Sequence, residues 1–327
     1  MEAPMFKKLL IATVATGTAL FASAGAQAAG YPDKNVRLVV PYAPGGASDI
    51  LARVLSQKLS ESLGQQFMVD NKPGAGGSIG ADIVAKATPD GYTLLLADVA
   101  VRTIAPALYA KLPYAREDLA PVINLATFAH VLITAPNSPL TSFGDIVQRD
   151  KSQSGSVSVA SSGNGTSTHL TAEMVNSLAG IKLNHVPYKG GGAALTDVMS
   201  GQVNAMFIGS PPAMPLLQNG KLKAIAVTTS KRMAALPSVP TMAESGLPGF
   251  ESIAAQGIFA PHNTPREIIA RLNTEIARII QLPEVRARWT QLGAEPIANT
   301  PAQFASWLDD ETFKWGKVIK DSGAKVD

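Results

Sequence analysis

The stretch Leu38-Val39-Val40-Pro41-Tyr42-Ala43-Pro44-Gly45-Gly46-Ala47-Ser48-Asp49 decides the fold class. Its first three residues form a short buried-strand pattern, and the Pro- and Gly-containing segment that follows is a turn. Ile50, Leu51, Val54, Leu55, Leu59 and Leu63 then recur at helical spacing until Gly64 stops the run. Strand, glycine turn and helix thus follow one another without a linker. Working outward, Phe67-Met68-Val69 reads as a strand, Ile79 to Ala87 as a helix and Thr93 to Leu96 as a strand. Strands alternating with helices predict an α/β protein with a parallel sheet covered on both faces.

A second unit of the same kind lies further on. Ser156 to Ser161 alternates Ser with Val or Ala and runs into Gly163-Asn164-Gly165-Thr166-Ser167, after which Leu170, Met174, Val175 and Leu178 mark a helix closed by Gly180. A short helix from Lys189-Gly190-Gly191-Gly192 to Met199, a strand from Val203 to Ile208, a helix from Pro212 to Asn219 and a strand from Leu222 to Val227 complete this block. The last third is helical. Thr264-Pro265-Arg266-Glu267 supplies an N-cap, Pro at N1 and a capping-box Glu, and Thr300-Pro301-Ala302-Gln303 repeats the device. Trp289, Trp307 and Trp315 fall on these helices as core residues.

The chain has 327 residues, long enough for two domains, and is 46% hydrophobic with 16% charged residues, which excludes disorder as its ground state. It has no cysteine, so disulfides, thiol catalysis and Cys-ligated metal centres are excluded. Lys7-Lys8, an uncharged stretch to Phe21 and Ala26-Gln27-Ala28 together read as an export signal, residues 1–28, cleaved before Ala29. The expected location is therefore the periplasm. A net charge of +3 without a cluster of bases and aromatics gives no footprint for nucleic acid.

Both glycine turns have the makings of an anion site. The first helical N–H groups are unpaired, they lie at the positive end of the helix dipole, and small residues let a ligand oxygen approach them. Sharper motifs fail. Gly-Lys is followed by Leu222 or Val318, not Ser or Thr, so there is no P-loop, and no dinucleotide fingerprint is complete. His130, His169, His185 and His262 have no metal-ligand spacing, and neither a metal nor a cofactor is expected; His169 reads as a packing or hydrogen-bonding residue. Gly76-Gly77-Ser78-Ile79-Gly80 matches a nucleophile elbow, which makes an exported hydrolase acting through Ser78 the rival reading. However, residues 71–75 separate Ser78 from the strand it would have to leave.

Taken together, Tyr31-Pro32-Asp33-Lys34, the quoted Leu38–Asp49 stretch, Asn71-Lys72-Pro73-Gly74-Ala75-Gly76-Gly77, Pro89-Asp90-Gly91-Tyr92-Thr93, Ser162-Gly163-Asn164-Gly165-Thr166 with His169-Leu170, His185-Val186-Pro187-Tyr188-Lys189-Gly190, Leu236-Pro237-Ser238-Val239-Pro240-Thr241 and Ala260-Pro261 resemble the Bug family, the periplasmic receptors of tripartite tricarboxylate transporters. The likeness covers essentially the whole chain after residue 28. It implies a type II two-lobed periplasmic binding protein with hinge strands crossing between lobes: residues 29–127 and 253–327 in lobe 1, 128–252 in lobe 2. It also implies a monomer that closes on a small di- or tricarboxylate or aromatic acid and delivers it to one large and one small integral membrane permease subunit. A sensory receptor for a membrane kinase is the other use of such a fold. Carried over by position, the ligand-binding residues are Tyr42, Gly45, Gly46, Ala47, Ser48 and Asp49 in the first turn; Ser162, Gly165, Thr166 and Ser167 in the second; and Tyr188 and Gly191 nearby. Phe128 and the Gly209-Ser210-Pro211 strand end are candidates for the pocket wall, Ser210 among the ligand contacts. Arg102 departs from the usual pattern of the family. It follows the Thr93–Leu96 strand, and it is expected either to bind a second acidic group of the ligand or to pair with an acid such as Asp98.

Overall fold

A computed structural model describes residues 30–326. The export signal read in residues 1–28 lies outside them. Lobe 1 opens with β1 (Val36–Val40), α1 (Ala47–Leu63), β2 (Phe67–Asn71), α2 (Ser78–Ala85) and β3 (Thr93–Asp98), the strands running parallel in the order β2-β1-β3. Helix α1 forms as its spacing demands: Leu51, Leu55 and Leu59 are buried against the sheet, and Gly64 closes the helix at φ 70°. Two single-turn helices, α3 (Ala100–Thr103) and α4 (Ala105–Leu108), follow β3.

The chain then enters β4 (Leu119–Thr134), a strand of 16 residues that serves both lobes. Its first part, to Ala129, pairs antiparallel with β9 (Ile253–Pro261), which itself lies antiparallel to β3. From His130 onward the same strand pairs antiparallel with β7 (Ala205–Gly209) and β8 (Lys223–Val227) of lobe 2. The sheets are therefore mixed, not purely parallel. The crossing strands leave and re-enter lobe 1 against the direction of its βαβ strands, and local periodicity carries no sign of strand direction. Lobe 2 adds α5 (Phe143–Ser152), β5 (Ser158–Ser161), α6 (Ser167–Ala179), β6 (Asn184–Pro187), α7 (Gly191–Met199) and α8 (Ser210–Gln218), with β7-β5-β6 parallel.

After β9 the chain stays mainly with lobe 1 through α9 (Arg266–Ile280), α10 (Pro283–Gln291), β10 (Ala294–Pro296) and α11 (Pro301–Ser322). The lobe 1 core includes Leu38, Leu95, Ile258, Ile276, Trp289 and Phe304, while lobe 2 buries one apolar layer on each face of its sheet. Helix α11 reaches further than a lobe 1 helix need. Its Trp315 packs with Leu170 of α6 and Ile104, so it clasps lobe 2 as well. Trp289 and Trp315 are fully buried, as their positions suggested, and Trp307 is partly so.

Thr300 forms the anticipated capping box: it accepts from the Gln303 N–H at 3.2 Å while Gln303 Oε1 accepts from the Thr300 N–H at 2.9 Å. At the other predicted site the box does not form. Pro265 itself is the N-cap of α9, and Thr264 donates backwards to the Pro261 carbonyl at 2.8 Å. That bond uses the hydroxyl inside the preceding turn, a local alternative open to any Ser or Thr.

Candidate functional site

The two glycine turns face each other across a small cavity of about 40 Å³. On the lobe 1 side, α1 starts at Gly46, whose backbone is extended and offers no side-chain cap, so the first N–H groups of the helix stay open toward the cavity. Asp49 shapes this turn from behind. It accepts from the Gly45 N–H at 3.0 Å, from Asn71 at 3.0 Å and from Arg53 at 2.9 Å. Burial alone would raise its pKa, but the bonds from Arg53, Gly45 and Asn71 outweigh it and hold the carboxylate below its ordinary range.

On the lobe 2 side, α6 starts at Thr166, again without a side-chain cap. Thr166 Oγ1 donates to the Gly163 carbonyl at 2.7 Å, and Thr168 Oγ1 accepts from the Ser162 N–H at 3.0 Å, so hydroxyls fix the turn, while Asp98 sits against Ser167, the first residue of the helix. His169 Nδ1 accepts from the Gly165 N–H at 3.2 Å, and its ring stacks on His185 at 4.1 Å. It is a structural histidine, as read.

Of the residues singled out in the sequence, Tyr42, Gly46, Ala47, Ser48, Ser162, Thr166, Ser167 and Gly191 line the cavity, and so do Phe128 and Gly209. The Tyr42 hydroxyl is buried there without a partner. Gly209 leaves the space Phe128 fills, since a Cβ on it would lie 2.5 Å from the ring. Gly45, Asp49, Arg102, Gly165, Tyr188 and Ser210 do not line it. Tyr188 donates to Asp197 at 2.5 Å and Ser210 to the Gly293 carbonyl at 2.9 Å, a bond from lobe 2 to lobe 1. Arg102 is turned away: its Nε donates to the carbonyls of Arg116 and Leu119 at 3.0 and 3.1 Å. The ion pair weighed between Arg102 and Asp98 does not form either: Asp98 bonds Ala100 and Ser167, and the acids near Arg102 are Asp309 and Glu117.

Four lining residues escaped the sequence reading of the site: Asp98, His130, Thr168 and Gln256. Asp98 and Gln256 sit opposite each other in the β3–β9 pairing, and Ser48 donates to Gln256 at 2.6 Å. His130 stands two residues after Phe128, hence on the same face of β4. Only Asp98 carried a sequence signal, its place at the end of β3; His130 and Gln256 lie inside β4 and β9, and Thr168 in the first turn of α6.

A buried polar chain leads from this floor to the crossing strands. Asp98 bonds the Ser167 hydroxyl, which lies 3.1 Å from His130 Nε2; His130 Nδ1 lies 3.1 Å from Thr171, and Thr171 is 2.7 Å from Ser252. Thr228 and Ser252 then stitch the crossover: the His130 backbone N–H donates to the Thr228 hydroxyl at 2.9 Å, and the Ser252 N–H donates to the Thr228 carbonyl at 2.9 Å. The lobes also touch directly, through the Ala43 N–H on the Lys189 carbonyl at 2.9 Å and Tyr109 on the Asn164 carbonyl at 2.9 Å. The cleft is shut.

Burial holds three histidines neutral, with pKa values lowered to about 3 for His130, about 3 for His169 and about 4 for His185. Because the unfolded chain protonates near 6.5, their contribution to stability is complete above that pH and is lost as pH falls from there toward the folded values. Asp98 acts in the opposite sense. Burial raises it to about 6, so its share is present at low pH and lost as pH rises through that value, offsetting one histidine between about pH 4 and 6. Urea midpoints are therefore expected to be level from pH 8 to 6.5 and to drop by pH 5. A level midpoint down to pH 5 would mean that the histidines are charged in the fold.

Two α/β lobes hinged on shared strands around such a cavity define a periplasmic solute-binding protein. The chain belongs to the tripartite tricarboxylate transporter family receptors, TctC, whose profile matches residues 51–324. It is 37% identical over 298 residues to protein BugT of Bordetella pertussis, covering 90% of this chain and 91% of that one. It is also similar to two solved structures: R. palustris Rpa4515 with adipate (TM-score 0.87, 34% identity, 90% of this chain and 100% of that one) and MatC (Rpa3494) from Rhodopseudomonas palustris with bound malate (TM-score 0.84, 34% identity, 88% and 100%). This is a family of receptors, not of enzymes. The hydrolase reading is set aside with it: Ser78 opens α2 with a buried hydroxyl that meets no hydrogen-bond partner, let alone a base. Among the described residues no helix is long and apolar enough to cross a membrane.

Proposed function

We propose that the protein is a periplasmic receptor that closes its lobes on a small organic carboxylate and hands it to the membrane subunits, one large and one small, of a tripartite tricarboxylate transporter. The observation that carries this reading is the meeting of two uncapped helix N-termini, α1 and α6, from different lobes at one cavity. A carboxylate placed between them accepts bonds from both, and only when the cleft is shut, so binding favours closure by those contacts. Adipate and malate in the related structures support the ligand class. Tyr42, Ser48, Ser162 and Thr166 are the side chains we assign to the carboxylate. Arg102 stands outside the set.

Thermal-shift screening against organic acids tests the reading. A ligand at 100 times its Kd stabilises by about 2.7 kcal/mol, a rise of a few degrees in Tm. Ser48→Ala together with Thr166→Ala is expected to abolish the rise. A panel that leaves the wild-type Tm unmoved would count against it.

A further inference from the structure

Asp98 reaches across the cleft. It ends β3 in lobe 1, is 8% exposed, and lines the cavity beside Tyr42 and Ser48. Its carboxylate accepts from the Ala100 N–H at 2.9 Å and, from lobe 2, from both the hydroxyl and the backbone N–H of Ser167. One of the two helix termini aimed at the cavity therefore already holds an anion. Among the described residues no Lys or Arg lines this cavity of about 40 Å³, so a guest carboxylate sits against that anion. Two carboxylates at one terminus, worth roughly half a positive charge, do not both stay ionised; one of them takes up a proton. The surroundings of Asp98 favour the same outcome. From α11 it feels the like charge of Glu311, itself tied to the Trp315 N–H at 2.8 Å. From the β1 turn it meets Tyr42, kept neutral by burial, and from β9 the uncharged Gln256. Arg102, four residues on, is held by two carbonyls.

Behind Asp98 the hydrogen-bond chain can run in either direction. Its members are Ser167, His130, Thr171 and Ser252, and both ring nitrogens of His130 face hydroxyls. With Asp98 ionised, Ser167 donates to it, His130 Nε2–H donates to Ser167, and Thr171 donates to His130 Nδ1. With Asp98 protonated these bonds reverse. Asp98 donates to Ser167, Ser167 to Nε2 and Nδ1–H to Thr171, whose own proton turns to the Ser167 carbonyl 2.8 Å away. Ser252 donates to Thr171 in both patterns. Neither pattern leaves a group without a partner, and His130 changes only its tautomer. We infer that the receptor takes up one proton from solvent with each carboxylate it binds, Asp98 receiving the proton and His130 exchanging its Nε2–H tautomer for the Nδ1–H one. The inference rests on the carboxylate reading above and deepens it. Burial raises the Asp98 pKa only to about 6, so at neutral pH the empty site is ionised and has a proton to gain.

Two measurements decide it. The first needs no ligand. Nitrogen-15 spectra of histidine-labelled protein, with His130 assigned by through-bond correlation to its backbone, should show the Nε2–H tautomer at pH 8 and the Nδ1–H tautomer at pH 5. Asp98→Asn should show Nδ1–H at both, because its amide oxygen stays with the Ala100 N–H and its NH2 donates to Ser167. A tautomer that wild type keeps across this range would overturn the inference. The second is calorimetric titration with malate, adipate and benzoate in buffers of differing ionisation enthalpy. Wild type should take up close to one proton per acid bound at pH 7.5, and its affinity should fall about tenfold per unit from pH 6.5 to 8. Asp98→Asn should bind with little uptake and a level affinity. Binding without uptake, or equal uptake in both proteins, would overturn the inference and leave the carboxylate reading intact. Failure of these three acids and of the whole thermal-shift panel would overturn both.

Discussion

Gly192→Ala is expected to weaken ligand binding about 100-fold while leaving the unliganded protein as stable as before, or slightly more so. A Cβ at this position would stand 2.3 Å from the carbonyl oxygen of Pro44 and 3.0 Å from the backbone of Gly45, both in the opposite lobe. The obstacle is backbone, so no side chain can swing aside. The lobes have to part by about an ångström, a misplacement of the size that costs two orders of magnitude when aligned groups must meet. Within its own lobe the change is benign, for Gly192 lies in the first turn of α7, and alanine is the better helix former by up to about 1 kcal/mol. Titration calorimetry reads the affinity, and small-angle scattering reads the failure to contract on adding ligand. Wild-type affinity in this variant would show that the lobes meet through some other contact.

Trp289→Ala is expected to cost about 3–5 kcal/mol and to lower Tm on the order of 10 °C. The indole is completely buried on α10 within the lobe 1 core, and truncation leaves a cavity that a rigid surround of sheet and helices cannot fill. Trp289→Phe should behave differently. The indole Nε1 is buried without a hydrogen-bond partner, so phenylalanine removes an unsatisfied donor along with some volume, and the loss should stay below about 1.5 kcal/mol. Chemical denaturation of both variants gives the comparison. Equal losses would mean that the indole N–H is worth as much as the ring.

What the sequence made legible was local. Strand, turn and helix at Leu38–Leu63 and at Ser158–Ala179 follow from contiguous patterning, and the αL glycines that end both helices, Gly64 and Gly180, stand where the periodicity stops. The candidate cradle was readable for the same reason, since Gly46, Ser48 and Thr166 belong to those units. The remainder depends on distant pairings. Asp98 and Gln256 come together only because β9 returns beside β3 from 158 positions further on, and His130 faces the cavity only because β4 continues through it. Arg102 misled for a related reason: its place after a strand suggested the ligand, but the carbonyls of Arg116 and Leu119 lie nearer. Gly192 looked like one more turn glycine, because its constraint is the Pro44 carbonyl of the other lobe. Tyr188 and Ser210 carry polar groups that find partners at Asp197 and Gly293 before any guest could claim them.

The sixteen-residue strand β4 has a consequence for how the protein can be divided. Cutting it between Ala129 and His130 would leave each sheet its own stretch of β4 but remove the covalent continuity that keeps the two stretches in line. Whatever motion admits a guest is a flexure of that shared rod, not a slide along a seam.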